Sequence, residues 1–254
     1  MGSVAPICDH AISDPPYGRD VYLRAAAVYT KAGSGTPKRM GLSEQKRRGG
    51  ALQKMANGDI GAIDDLIVPV AGLLAKLVSR WAIAFSDVES CHAWRSAFDS
   101  AGMRYVRTGA WVKPDAMPQM SGDRPGTGFE PCTIAHAQGP MRWNGGGSLA
   151  TWTHFTAKGA GRPEGHPCPK PLPLMVQLVK LFTDAGETIL DPFGGSGTTA
   201  VAAKLNGRKC VLIEREEKYC EIAANRLRQT YTGRLFDKSP KAKPQSLLDA
   251  ETAA

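Results

Sequence analysis

Short unbroken apolar runs and longer stretches with helical apolar spacing take turns along this chain, and together they predict its elements. Residues 7–13 form a short apolar run that ends against Asp14-Pro15-Pro16-Tyr17. This predicts a buried strand closed by a stiff turn, because neither proline donates to a ladder. From Ile63 to Val78 the residues Ile63, Leu66, Ile67, Val70, Leu73, Leu74 and Leu77 recur at helical spacing. Trp81–Phe85 reads as a second buried strand. Ser86 and Glu89 match a capping box and predict a helix that ends near Gly102. Residues 103–112 and 131–138 are two further strands, and Lys113 to Gly128 between them has the Pro, Gly, Ser and Asp content of a loop. Pro171 to Asp184 is an amphipathic helix stopped near Gly186. A strand (Glu187 to Asp191), a glycine loop, a helix (Gly197 to Leu205), a strand (Lys209 to Glu214) and a helix (Glu216 to Gln229) follow. That order implies an α/β fold with parallel pairing and right-handed crossovers.

Two segments break the pattern. Residues 30–60 are rich in Gly and carry Lys31, Lys38, Arg39, Lys46, Arg47, Arg48 and Lys54. They read as a surface insertion, either a solvated loop or a DNA contact. Residues 139–165 are again Gly-rich, with Arg142, Trp143, Asn144, Trp152, His154, Phe155, Lys158 and Arg162 interspersed. Interleaved aromatic and basic residues suit nucleic-acid contact, and they equally suit a loop anchored by its tryptophans. The expected organisation is one domain over residues 1–230, with the basic insertion 30–60 and candidate target-recognition loops in 113–165. A polar tail over 231–254 is expected to fray.

Composition narrows the partners. The 254 residues suffice for one full core, and apolar residues make up 42%. No run of about 18 uncharged apolar residues predicts a membrane span. Met1-Gly2-Ser3-Val4 lacks a basic leader, so no signal peptide is expected. Lys and Arg exceed Asp and Glu by 32 − 24 = 8, which favours a polyanion such as nucleic acid or simply a basic soluble surface. Six cysteines without a CxxC pair fit a reducing, cytoplasmic compartment better than a disulfide framework. Cys8-Asp9-His10, Cys91-His92 and His166-Pro167-Cys168 match zinc spacing poorly, so no metal is expected.

Two strings carry the chemistry. Gly195-x-Gly197-x-x-Ala200 follows a strand and opens a helix, where glycine permits close backbone approach and the helix N-terminus favours an anion. Glu214, 19 residues after Gly195, stands at the end of the next strand, where a carboxylate can accept both hydroxyls of a ribose. Alone this indicates a nucleoside-containing cofactor, NAD included, or a tight turn with no ligand. The second string is Asp14-Pro15-Pro16-Tyr17. An exocyclic amine of adenine or cytosine is a weak nucleophile because its lone pair is delocalised into the ring. Acceptors for both amino hydrogens favour a pyramidal nitrogen, and the Asp14 carboxylate with the Pro15 carbonyl can supply them. Tyr17 can stack on a base that has left the duplex. With Asp191-Pro192-Phe193 upstream of the glycines, the pair of strings favours S-adenosylmethionine over NAD.

These residues resemble the amino-group DNA methyltransferases of the permuted, beta-type order. The matching elements are Asp14-Pro15-Pro16-Tyr17, then His166-Pro167-x-x-Lys170-Pro171, then Asp191-Pro192-Phe193-x-Gly195-Ser196-Gly197-Thr198-Thr199, and Glu214 with Tyr219 following. The match covers residues 8–20 and 166–228 closely, and the middle only through Trp111-x-Lys113 and Phe129-Glu130. The resemblance implies a Rossmann-like, mostly parallel seven-stranded sheet with helices on both faces. It implies catalysis at Asp14, Pro15, Pro16 and Tyr17. It implies S-adenosylmethionine held by Asp191, Phe193, Gly195, Ser196, Gly197, Thr198, Glu214 and Lys170. Asp14 at the first motif position resembles the adenine-N6 enzymes; the cytosine-N4 enzymes more often have Ser there. Double-stranded DNA is the implied partner, with Lys38, Arg39, Arg47, Arg48, Arg124 and Arg142 as candidate contacts. A homodimer and a separately acting cognate restriction endonuclease are compatible with the resemblance.

Two departures stand out. Only about a dozen residues precede Asp14, where the family carries a further strand and acidic turn, and Cys168 and Pro169 replace polar residues between His166 and Lys170. Other classes stay in view: a catalytically silent DNA-binding protein of the same fold, and a nicotinamide-dependent enzyme. A cysteine nucleophile at Cys132 or Cys168 lacks its companion residues, and direct amine methylation needs no thiolate.

Overall fold

The computed structural model describes residues 5–18, 63–118, 122–157 and 168–230. Twelve elements lie within them: β1 (His10–Ser13), α1 (Ile67–Leu77), β2 (Trp81–Phe85), α2 (Cys91–Ser100), β3 (Arg104–Val112), β4 (Phe129–His136), β5 (Thr151–Thr153), α3 (Leu172–Phe182), β6 (Thr188–Asp191), α4 (Thr198–Leu205), β7 (Lys209–Leu212) and α5 (Glu217–Gln229). The basic insertion 30–60, the stretch 158–165, His166 and the tail 231–254 fall outside the described residues.

One sheet of seven strands has the order β5-β3-β4-β2-β1-β6-β7. β1 lies centrally, parallel to both β2 (Ala11↔Ala82) and β6 (Ala11↔Leu190). β4 runs antiparallel to β2 and β3, and every other pair is parallel. The expected mostly parallel α/β sheet is what forms. Its central strands read as unbroken apolar runs because both faces are covered. On one face Ile12, Ile83, Phe85, Trp111, Ile134 and Ile189 pack with Leu174, Met175, Leu178 and Phe182 of α3 and Ala202 and Ala203 of α4. On the other, Ala11, Ala82, Ala84, Ala135 and Leu190 pack with Ile67, Ala71 and Leu74 of α1 and Trp94, Ala97 and Phe98 of α2. The small alanines of this second face let the two helices approach closely.

The structure corrects several sequence expectations. The helix after β2 begins at Cys91, and no Ser86–Glu89 box starts it. Asp87 instead accepts the Ser90 backbone N–H (2.7 Å) and hydroxyl (3.0 Å), so a carboxylate one residue later does the capping. α1 starts at Ile67, because Ile63 to Leu66 form turns that tuck Ile63 into the core. The sequence also conceals β5, a three-residue strand that lengthens the sheet beside β3.

The tryptophans of the Gly-rich segment act as anchors. Trp152 is 2% exposed, and Trp143 meets Phe182 edge-on at 4.8 Å. Phe182 also receives Trp81 at 5.3 Å and Trp152 at 6.2 Å, so one ring gathers three indoles. Phe182→Ala should therefore destabilise the protein by about 3–5 kcal/mol, as a large buried ring leaves a cavity that rigid indoles fill poorly. A denaturant melt checks this, and a loss below about 1 kcal/mol would show that the indoles collapse into the gap.

Candidate active site

Both sequence strings emerge at the same end of the sheet. Asp14 follows the last residue of β1, and the glycine loop follows β6, its parallel neighbour. A crevice beyond the carboxyl ends of parallel strands is where open α/β sheets bind ligands. The Ser13 hydroxyl donates to Asp191 Oδ1 at 2.9 Å and so ties the two strand ends together. Asp191 also accepts the Phe193 backbone N–H at 3.1 Å and a hydrogen bond from the Thr199 side chain. Its carboxyl is buried, and that burial pushes its pKa up to about 6 against these hydrogen bonds.

The glycine loop is a shaped cradle. Gly195 and Gly197 have φ of 51° and 79°, conformations that favour glycine. A Cβ on Gly194 would come within 2.4 Å of the Leu212 side chain, and one on Gly197 within 2.7 Å of Ala223 Cβ. Gly197 caps α4 with no side-chain hydrogen bond, so the first N–H groups of the helix present their positive end to the crevice. Glu214 accepts the Gly195 N–H through Oε2 and the Glu216 N–H through Oε1, both at 2.8 Å. These bonds fix its carboxylate and leave further lone pairs for a diol. Phe193, Gly195 and Glu214 stay partly exposed, whereas Asp191, Ser196, Gly197 and Thr198 are buried beneath them. From α5, Arg226 Nη1 reaches Ser196 O (2.5 Å), Ser196 Oγ (3.1 Å) and Thr198 Oγ1 (3.1 Å), bracing the loop from behind. This donor set suits a ligand with a carboxylate at one end and a ribose at the other. Among the described residues no group of His, Cys, Asp and Glu side chains could hold a metal.

A charge cluster surrounds Asp14. Lys170 Nζ lies 2.5 Å from Asp14 Oδ1 and 3.0 Å from Glu130 Oε2. Lys113 also pairs with Glu130. The Lys170 side chain is 9% exposed, and ring centroids of Phe85, Tyr17 and Trp111 stand 5.0, 5.7 and 5.9 Å from its ammonium. Burial pushes the Asp14 carboxyl above the usual carboxylate range, and the Lys170 charge offsets only part of that rise. Burial would raise Glu130 too, but the Lys170 and Lys113 charges and hydrogen bonds from Lys113 and Tyr17 hold it down at about 2. Burial alone would lower Lys170, and the two carboxylates reverse this and raise it. On the far side of the turn the Gly18 N–H donates to Asp87 Oδ2 at 3.0 Å, so the residue that caps α2 also holds the Asp-Pro-Pro-Tyr turn.

The candidate residues divide by position. Asp14 to Tyr17 and the glycine-loop set come together. Lys170 joins Asp14 rather than the glycine loop. Arg142 does not join the site: its carbonyl accepts the indole N–H of Trp81, at the start of β2 and so at the opposite end of the sheet, and its guanidinium pairs with Asp184 at 3.2 Å. Of the candidate recognition loops 113–165, the stretch around Trp143 packs at that far end too. Residues 113–118 and 154–157 lie at the Asp14 end, joined by Asp115 accepting the Thr156 N–H at 3.0 Å. Arg124 is exposed and pairs with the adjacent Asp123 at 2.8 Å. Lys38, Arg39, Arg47 and Arg48 lie outside the described residues. Sequence reasoning missed Asp87 and Arg226, and it left Glu130 and Lys113 without a role. For the last two a signal existed: Trp111 and Glu130 are cross-strand partners, and Lys113 lies two residues after Trp111.

Comparison with known proteins agrees with this geometry. A family model for N6/N4 DNA methylases matches residues 8–225. The type II methyltransferase M2.DpnII of Streptococcus pneumoniae is 43% identical over 77 residues, 30% of this chain and 29% of the relative. M.BglI of Bacillus subtilis, also a type II methyltransferase, is 36% identical over 93 residues, 34% of this chain and 27% of the relative. The matched stretches thus span less than a third of those relatives. Among solved structures, the M1.HpyAVI–SAM complex aligns with a TM-score of 0.62 at 20% identity, covering 87% of this chain and 89% of that one. PvuII DNA methyltransferase (cytosine-N4-specific) aligns at 0.63 with 14% identity, covering 87% and 80%. These two likenesses establish a shared fold.

Two outcomes follow from the cradle. Gly197→Asp should abolish cofactor binding in calorimetry, because its Cβ meets Ala223, its φ is strained, and its charge opposes an anion at the helix N-terminus. Unchanged affinity in a folded variant would remove the site from this loop. Asp191 has a folded pKa of about 6 against an ordinary 3.8, so its favourable contribution, complete below 3.8, is lost as pH rises through 6. The stability of Asp191→Asn relative to wild type should therefore rise by roughly 2 kcal/mol from pH 4 to pH 8. Parallel pH dependence of the two proteins would show that Asp191 ionises normally.

Proposed function

This chain belongs to the N6/N4 DNA methylase family, and on that premise we propose that it methylates the exocyclic amino group of a base in double-stranded DNA, using S-adenosylmethionine, with adenine N6 as the favoured target. The observation that carries the reading is the meeting of the Asp14 turn and the glycine loop in one crevice, tied by Ser13 and Asp191. S-adenosylmethionine, when bound, supplies an electrophilic methyl group on a sulfonium.

The chain's own residues do the rest. The α4 N-terminus would receive the cofactor's carboxylate, Phe193 would border it, and Glu214 would accept its ribose hydroxyls. Asp14 and the Pro15 carbonyl accept the two amino hydrogens, and Tyr17 stacks on the base. The base must leave the duplex to reach them. Loops 113–118 and 154–157 border the same end of the sheet and are the described candidates for contact with the flanking DNA. Placement and electrostatic complementarity supply the acceleration, with no covalent intermediate.

Adenine is favoured by Asp14 at the first motif position. Cytosine N4 is the second reading, supported by the structural likeness to a cytosine-N4-specific enzyme. Nucleoside mass spectrometry of unmethylated DNA treated with the protein and S-adenosylmethionine separates them: N6-methyladenine is expected, and N4-methylcytosine would move the target base. Asp14→Ala should lose at least about 100-fold in methylation rate while keeping its cofactor affinity. Full activity in that variant would sink the mechanism.

A further inference from the structure

We propose that Lys170 and Glu130 are a positioning couple for the catalytic carboxylate: Lys170 pairs with Asp14 and aims it while no base is present, and Glu130 receives the ammonium when the target amine arrives. The proposal rests on the base-methylation reading above. It departs from the expectation that Lys170 contacts the cofactor.

Three observations support it. Lys170 Nζ already touches both carboxylates, at 2.5 Å and 3.0 Å, so passing from one to the other needs only a small movement. The aromatic faces of Phe85, Tyr17 and Trp111 surround the ammonium and keep it from moving to water. The cluster holds two carboxylates and two ammonium groups, Asp14 and Glu130 with Lys170 and Lys113. A neutral base can therefore enter without leaving an unbalanced charge. A neutral amine is a weaker donor than an ammonium, and it can displace Lys170 from Asp14 only if another anion is in reach. Glu130 is that anion, and Lys113 and Tyr17 keep it charged and fixed.

The charged and titratable groups that face Asp14 are Lys170, Glu130 and Lys113, with Asp191 behind it and Tyr17 beside it. Removing Lys170 takes away the cation that favours ionised Asp14, so activity should then need a higher pH.

The test uses the full chain. Cofactor affinity is read by calorimetry, and methylation kinetics against DNA are read across pH. Lys170→Met should bind S-adenosylmethionine like wild type, lose at least about 100-fold in kcat, and shift the acid limb of its pH profile upward. Lys170→Arg, which keeps the charge, should recover part of the rate with the wild-type limb. Glu130→Gln should raise KM for DNA about tenfold with unchanged cofactor affinity, because the ammonium stays on Asp14. Glu130→Gln also keeps the test open if Lys170→Met does not fold. Weakened cofactor binding in Lys170→Met with an unmoved pH limb, or an unchanged KM for DNA in Glu130→Gln, would overturn the proposal alone. Absence of methylation by wild type would overturn the base-methylation reading and this proposal with it.

Discussion

The site exists because β1, from the start of the described chain, is seated between β2 and β6 in parallel. Parallel pairing with β6 puts the carboxyl ends of two strands, 178 residues apart at Ser13 and Asp191, side by side. One hydrogen bond then fixes their register at the point of use. An antiparallel arrangement of the same strands would have sent Asp14 and the glycine loop to opposite ends of the sheet. Asp191 serves this purpose from inside the fold. Burial makes its charge unfavourable, and three donors turn it into a fixed acceptor beneath the loop. Its place in the glycine-loop string reflects that supporting role as much as any contact with a ligand.

The same polarity sorts the variable middle of the chain. β4 reverses direction, so β3 and β5 run with β1 and deliver their carboxyl ends to the catalytic side. Trp111, Lys113 and, from the start of β4, Glu130 join the cluster around Lys170 through that geometry. The connection after β4 goes to the other end of the sheet, where Trp143 and Asn144 pack on the end of α3. Arg142 follows that connection. The Trp143 ring is used there to close the core over Phe182.

Much of this was legible in the sequence. The elements from Pro171 onward appear within a few residues of their expected bounds, since glycines, prolines and clean periodicity punctuate that part. The two strings were visible because each has particular residue types at adjacent positions, and the fold brings them to one end of the sheet. The misses share a cause. Asp87, Glu130 and Arg226 act across separations of 69, 40 and 28–30 residues, and no local pattern announces a side chain whose partner is set by strand pairing or helix docking. β5 was hidden for a different reason. Three residues cannot display a period, and Trp152 was equally at home in a loop.

The two halves of the crevice have opposite electrical characters, and that division follows from backbone direction. Strand β6 feeds the N-terminus of α4, so the glycine-loop half offers unpaired N–H groups and a positive dipole end, with Arg226 behind. Strand β1 feeds a turn whose two prolines contribute no N–H, so the Asp14 half offers oxygen acceptors. Alone, buried acceptors of that kind would destabilise the fold and drift toward protonation. Lys170 and Lys113 counter this: they hold Glu130 ionised and oppose the rise that burial imposes on Asp14. The arrangement suits the proposed reaction, in which the cofactor's carboxylate and a neutral aromatic amine must be received a few ångströms apart. Each half can meet its own ligand without competing for the other's because the donors and the acceptors come from different strand ends.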